Sequence, residues 1–190
     1  DEYLGDIEIG MPGKHNLTNA LAAVTVALQM DIEFSIIQSA LSKFNGVFRR
    51  FENKGMYKNC LVVDDYAHHP SEVKATLEAA RKGWGKKVIC IFQPHTYTRT
   101  QDMSDEFGMS FDDADILIVT DVYPARELPI EGVTGELISN AAKNYGHRNV
   151  EYVPDKDNLK SVLDKQIDDE YVILTVGAGN IYKFAELLVN

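Results

Sequence analysis

Five short apolar runs, LVV (61–63), VICIF (88–92), ILIVT (116–120), VEYV (150–153) and YVILTV (171–176), limit what this chain can fold into. Each is continuous and rich in β-branched residues, the pattern of strands buried on both faces of a parallel sheet. Each precedes an amphipathic stretch at helical spacing. These stretches carry Val73, Leu77 and Ala80 after Pro70; Met103, Phe107 and Phe111; Leu137, Ile138 and Ala141; Leu159, Val162 and Leu163; and Ile181, Phe184 and Leu188. Strand–helix repeats joined by right-handed crossovers give a doubly wound, three-layer α/β domain, predicted here over 48–190. A further strand over 51–57 enters as a hairpin, with Lys54-Gly55 or Lys58-Asn59 as its turn.

Residues 15–44 have a different character. Leu17, Leu21, Val24 and Leu28 form one helical stripe and Ala20, Ala23 and Ala27 another, as in a helix buried on more than one side. A second helix, capped by Ser35, carries Ile36, Ile37, Ala40, Leu41 and Phe44. Two such helices cannot bury each other completely and call for further apolar neighbours. The chain carries 19 Lys and Arg against 29 Asp and Glu, net −10, the wrong sign for a nucleic-acid or membrane-surface partner. No apolar run approaches the roughly 20 residues of a membrane-spanning helix. The N-terminus lacks the pattern of a signal peptide, so a cytoplasmic location is expected. Cys60 and Cys90 flank or enter strand runs with no metal spacing and no activating base, and read as buried hydrophobes of a reducing compartment.

In an open α/β sheet, ligands bind beyond the C-terminal ends of the strands. Polar residues cluster there: Asp64-Asp65-Tyr66-Ala67-His68-His69-Pro70, Gln93-Pro94-His95 through Arg99, Asp121-Val122-Tyr123 through Arg126, and Gly177-Ala178-Gly179-Asn180. Three chemistries fit. A metal-dependent hydrolase would use Asp64, Asp65, His68, His69 and His95, although adjacent histidines diverge in an extended loop. A nucleotide or phosphoanion site would use Arg49-Arg50, Arg99 and Arg126, with Asp65 on a ribose and helix N-termini toward phosphate. A non-catalytic nucleotide-binding module would use the glycine turn alone. Plainer roles stand beside these. Asp64 or Asp65 could cap the helix at Pro70, the glycines could be a tight strand-to-helix turn, and His147 reads as a surface loop residue.

The ordered motifs GKHNLTNALAA, FNGVFRRFE, DDYAHHPSE, FQPHTYTRT and GAGNI span essentially the whole chain and together resemble the C-terminal part of the Mur ligases. The resemblance implies an ATP-dependent, amide-forming ligase of peptidoglycan synthesis that joins L-alanine to UDP-N-acetylmuramate through an acyl phosphate. It also implies three domains. One binds the UDP-sugar, a central one holds a P-loop and Mg²⁺, and a Rossmann-like C-terminal one closes over the site. In that frame 1–47 is the tail of the central domain and 48–190 the complete C-terminal domain. No GxxxxGK[ST] occurs, so the isolated fragment is expected to be inactive, with Mg²⁺ ligands outside it. The oligomeric state is left open.

Residue by residue, the resemblance assigns Asn16 and Asn19 to the nucleotide, Arg50 to the ATP phosphates and Asp65 to the ribose. Tyr66, His68, His95 and Arg99 face the amino-acid and acyl end, and Gly177, Ala178 and Gly179 border the substrate. His68, His95, Arg50 and Arg99 are the catalytic candidates, with Arg99 on the alanine carboxylate. Thr96 stands where the family often has a second arginine, which leaves Arg99 the larger share. Arg49 is expected to be a solvated surface charge.

Overall fold

Two consecutive left-handed residues, Lys58 (φ 46°) and Asn59 (φ 65°), reverse the chain between β1 (Glu52–Tyr57) and β2 (Cys60–Asp65). Such a turn has the twist that antiparallel strands need, and Asn tolerates it well. The other candidate turn, at Gly55, is instead a bulge: the β1–β2 register shifts between Asn53 and Gly55, and Gly55 takes φ 131°. The computed structural model describes residues 3–10, 14–44 and 47–190. Residues 11–13, with Gly13 of the GKHN motif, and Asn45-Gly46 of FNGVFRR lie outside the described residues, as does the side chain of His15.

The remaining strands are β3 (Lys87–Phe92), β4 (Ile116–Val119), β5 (Val150–Tyr152) and β6 (Tyr171–Val176), one for each apolar run. The sheet order is β1-β2-β6-β3-β4-β5, parallel throughout except for β1. One face packs Val63, Leu77, Phe92, Phe107 and Ile138 under α3 (Pro70–Trp84), α5 (Ser104–Gly108) and α6 (Glu136–Asn144). The other packs Ile89, Ile91, Leu163, Ile173 and Phe184 under α7 (Leu159–Gln166) and α8 (Tyr182–Val189). Burial on both faces is why the runs of the inner strands are almost wholly apolar, whereas β5 at the sheet edge carries the exposed Glu151. The chain forms the doubly wound, mostly parallel sheet that the runs predict.

Several local expectations give way to the structure. The Met103–Phe107–Phe111 spacing does not belong to one helix. Met103 leaves helical geometry (φ −122°), so α4 (Tyr97–Asp102) and α5 are separate, and Phe111 follows α5 to pack edge-on against Phe92. Neither Asp64 nor Asp65 caps α3. Pro70 starts that helix and the Glu72 carboxylate reaches back to accept the N–H groups of His68 (3.0 Å) and His69 (3.2 Å). His147 is half-buried rather than loose on the surface, its ring bonded to the Ala114 carbonyl at 2.8 Å and accepting from Asn149 N–H.

At the N-terminus, α1 (Lys14–Gln29) and α2 (Phe34–Lys43) form as the periodicity predicts. Glu33, not Ser35, occupies the N-cap of α2; Ser35 lies inside the first turn. Val24 and Ile37 are buried, whereas Leu17, Leu21 and Phe44 stand exposed. Among the described residues no helix is long and apolar enough to cross a membrane.

Candidate functional site

The C-terminal ends of β2, β6, β3 and β4 open onto one rim, and four rings line it in succession. Tyr66 meets His68 edge-on at 5.3 Å, His68 meets His95 at 5.7 Å, and His95 stacks on Tyr123 at 5.8 Å. Backbone contacts hold the outer pair, because His95 and Tyr123 form a parallel bridge and Tyr123 N–H donates to Pro94 O at 2.8 Å. Arg99, one turn on, brings Nη1 to 3.4 Å from His95 Nδ1.

Hydrogen bonds set the tautomers of the two histidines. Arginine only donates, so His95 Nδ1 accepts and the neutral ring carries its proton on Nε2. His68 Nδ1 lies 3.0 Å from the Tyr66 carbonyl and 3.4 Å from Glu72 Oε2, both acceptors, so Nδ1 carries a proton and Nε2 is the ring nitrogen left facing the rim. Burial, with His68 and Arg99 nearby, pushes the His95 pKa below its ordinary value. The Glu72 carboxylate is held low despite partial burial, because it accepts from His68 and His69 and lies near Arg50.

Thr96 takes φ 67°, ψ 146°, a backbone region that β-branched residues avoid. Its surroundings hold it there: Thr96 N–H donates to Tyr123 O (2.9 Å) and its carbonyl accepts from Thr100 Oγ1 (2.7 Å). Glu127 then accepts from both Thr98 N–H (3.0 Å) and Thr98 Oγ1 (2.5 Å) at the first turn of α4.

Arg49 is the clearest departure from expectation. It is 7% exposed, not a solvated charge. Its Nε donates to Asp64 at 3.1 Å, Nη1 to the Gly179 carbonyl at 2.9 Å and Nη2 to the Gly177 carbonyl. Its guanidinium also lies over the rings of Tyr66 (4.9 Å) and Tyr182 (4.6 Å). The carbonyls of the glycine turn therefore face protein, and the turn is glycine for packing reasons. A Cβ on Gly179 would come within 2.3 Å of Gln93 Oε1 and 2.7 Å of Tyr123, and one on Gly177 within 2.6 Å of Gln93 O. Both sequence readings of Arg49, phosphate cation and solvated charge, miss its partners, because Asp64 lies 15 residues away and Gly177 128.

Arg50, next in the chain, is exposed at the mouth of a cavity of about 870 Å³. The α1–α2 pair forms one wall and α3 the other, with Asn16, Asn19, Phe44, Arg50, Asp65 and Thr76 among the lining residues. Apolar walls with a few convergent polar groups suit a nucleoside. Asp65 is already engaged: Oδ1 accepts from Ala67 N–H (2.8 Å) and Thr76 Oγ1 (3.2 Å), and Oδ2 from Phe51 N–H (2.8 Å). A carboxylate has about four acceptor positions, so this one has room for a single further donor. Burial pushes its pKa up against those three hydrogen bonds.

The proposed metal set does not assemble. Asp64 turns to Arg49 and to Thr175 Oγ1 (2.6 Å), His69 bonds Ser71 Oγ, and among the described residues no three of His, Cys, Asp or Glu converge. Strand alternation explains it, since consecutive Asp64 and Asp65 point to opposite faces of β2.

A family model described as "Mur ligase, glutamate ligase domain" matches residues 49–179. The chain is 49% identical over 189 residues to the UDP-N-acetylmuramate–L-alanine ligase of Geotalea daltonii, covering 100% of this chain and 41% of the relative. It is 50% identical over 194 residues to the enzyme of the same name from Salinibacter ruber, with the same coverage. The crystal structure of UDP-N-acetylmuramate–alanine ligase MurC from Thermotoga maritima superposes with a TM-score of 0.81 at 29% identity, covering 96% of this chain and 39% of that one. The chain thus spans about two fifths of the length of the curated relatives it matches.

Proposed function

The chain belongs to the Mur ligase family, and we propose that it is the C-terminal part of an ATP-dependent ligase that joins L-alanine to UDP-N-acetylmuramate. Residues 1–47 would close off the central ATP-binding domain and 48–190 would form the C-terminal domain. The family match beginning at Arg49 supports that boundary. The observation that carries the reading is the placement of His68, His95 and Arg99 on one rim, beside a cavity that Arg50 and Asp65 share.

Each residue has a physical task in such a reaction. The cavity takes adenosine, with Asn16 and Asn19 on its α1 wall and one ribose hydroxyl donating to Asp65. Arg50, exposed at the cavity with its guanidinium over the Tyr66 ring (5.5 Å), offers a fork of donors to phosphate oxygens. Arg99 pairs with the carboxylate of L-alanine and so aims its amine. His68 Nε2, when the ring is neutral, accepts the proton that the attacking amine loses. His95, held neutral, donates from Nε2 to a developing oxyanion. Tyr66 and Ala178 border that space. Mg²⁺ would neutralise phosphate charge during transfer. No ligand set for it converges among the described residues, so no step is assigned to it here.

The test is phosphate release. The full-length protein carrying this chain is expected to release phosphate from ATP only when UDP-N-acetylmuramate and L-alanine are both present, and the 190-residue chain alone to release none. Release by the isolated chain, abolished by Asp65→Ala, would replace this reading with a self-contained hydrolase.

A further inference from the structure

Across the glycine turn from Arg49, a chain of hydrogen bonds has its direction forced from both ends. It begins at Ile181 N–H, which can only donate and does so to Gln93 Oε1 at 3.0 Å. The Gln93 amide, 1% exposed, must then turn its Nε2 the other way, where it donates to Asn180 Oδ1 at 3.0 Å. From the far side, Lys156 Nζ, also only a donor, reaches the same Oδ1 at 2.6 Å. Two donors on Oδ1 leave the Asn180 amide no alternative orientation. Its NH₂ group, half-buried at the rim, donates to no protein group among the described residues.

We propose that Asn180 Nδ2 and Lys156 Nζ form an oxyanion subsite, distinct from Arg50 and Arg99, that takes a carboxylate or phosphate oxygen of a ligand spread across the rim. Three features support it. Nδ2 presents two hydrogens and Lys156 keeps two more after bonding Asn180, so the pair offers donors and no acceptor. Charge-assisted donors bind oxyanions about twice as strongly as neutral ones. Lys156 is half-buried, and burial with Lys183 nearby pulls its pKa down against the opposing pull of Asp121, so an anion at Nζ would relieve an unfavourable charge. Asp121 does not compete for the donors. Its Oδ1 accepts from Val122 N–H (2.8 Å) and Gly135 N–H (3.2 Å).

The site also has a rigid floor. Gly179 packs so closely on Gln93 and Tyr123 that no side chain fits between them, which fixes Asn180 relative to the ring ladder.

The test uses the 190-residue chain, titrated separately with inorganic phosphate and with acetate and followed by the side-chain NH₂ signals of Asn180 in amide NMR. Saturable movement of those signals by either anion is expected, and the anion that acts identifies the ligand group. Lys156→Gln should weaken that binding about tenfold, as loss of one charge-assisted hydrogen bond implies, while Lys156→Arg should retain most of it. The retained spectrum of the arginine variant controls for folding. Asn180 signals indifferent to both anions, or binding undiminished in Lys156→Gln, would overturn the subsite. Neither outcome bears on ATP-dependent phosphate release by the full-length protein, so failure here is separable from failure of the ligase reading.

Discussion

Arg49 and Asp64 form an ion pair at 3.1 Å with side chains only 8% and 0% exposed, so each is the other's chief compensation for lost water. Burial pushes the Asp64 carboxyl up, opposed by Thr175 and by Arg49. Arg49→Ala leaves that carboxylate unpaired and is expected to cost about 3–5 kcal/mol. Adding Asp64→Asn should recover a substantial part, because the stranded charge is gone. Urea unfolding of the unchanged chain and of the two variants gives both numbers. Equal losses in the single and double variants would mean that packing, not charge, dominates.

Asp65 is expected to separate fold from ligand binding. Asp65→Ala strands the N–H groups of Phe51 and Ala67 and the hydroxyl of Thr76, at about 1 kcal/mol or more each. A simple rise in KM for ATP should therefore be accompanied by a lower melting temperature. Thermal unfolding of the full-length variant, read beside its ATP dependence, checks this.

Arg50→Ala and Arg99→Ala should differ in kind. In the full-length protein, Arg50→Ala is expected to lower kcat, since phosphate charge is redistributed during transfer. Arg99→Ala should raise KM for L-alanine while acyl-phosphate formation persists, which positional isotope exchange in ATP detects. Normal alanine binding with no exchange would move Arg99 to the phosphate side.

Acid should destabilise this fold through its histidines. His95 and His147 both have folded pKa values below the ordinary 6.5, chiefly from burial. The unfolded chain then binds more protons as pH falls below about 6.5, and stability drops with it until the folded values are reached. Melting temperatures taken between about pH 7.5 and 5.5 should fall, and His147→Gln should flatten that slope.

Thr96→Gly is expected to stabilise the chain by about 1 kcal/mol. Relief of a backbone held at φ 67° (about 1–3 kcal/mol) outweighs the added freedom of glycine in the unfolded chain. Denaturant midpoints decide it, and a lower midpoint would show that Thr96 sits there without strain.

The inner strands β2, β3, β4 and β6 were legible because they are buried on both faces, so their residues carry their environment in their own composition. Each of the five runs became a strand, and Pro70 marked the start of α3. The rim was legible too, since topology alone sends His68, His95 and Arg99 to one end of the sheet. What stayed hidden depends on pairings between distant segments. Arg49 looks like any basic residue until Asp64 and the 177–179 carbonyls surround it. Asp65 looks free until Phe51 and Thr76 turn toward it. Gln93 and Lys156 have no local signature at all, because the polarity they impose on Asn180 exists only once β3 lies beside β6 and the segment after β5 reaches the turn that follows β6.

The position of β6 has a temporal consequence. The strand is made near the end of the chain yet lies between β2 and β3, pairing Leu61 through Asp65 on one side and Lys87 through Phe92 on the other. Until residues 171–176 have left the ribosome, β2 and β3 have no neighbour in common, and both expose an edge of unpaired backbone. The hairpin at Lys58-Asn59 can close early, as can the unit from β3 to β5, but the two must wait for a strand that joins them across about a hundred residues of loop-closure entropy. During synthesis the nascent chain is thus two half-sheets with open edges, the state most exposed to mispairing, and completion comes only with the last strand.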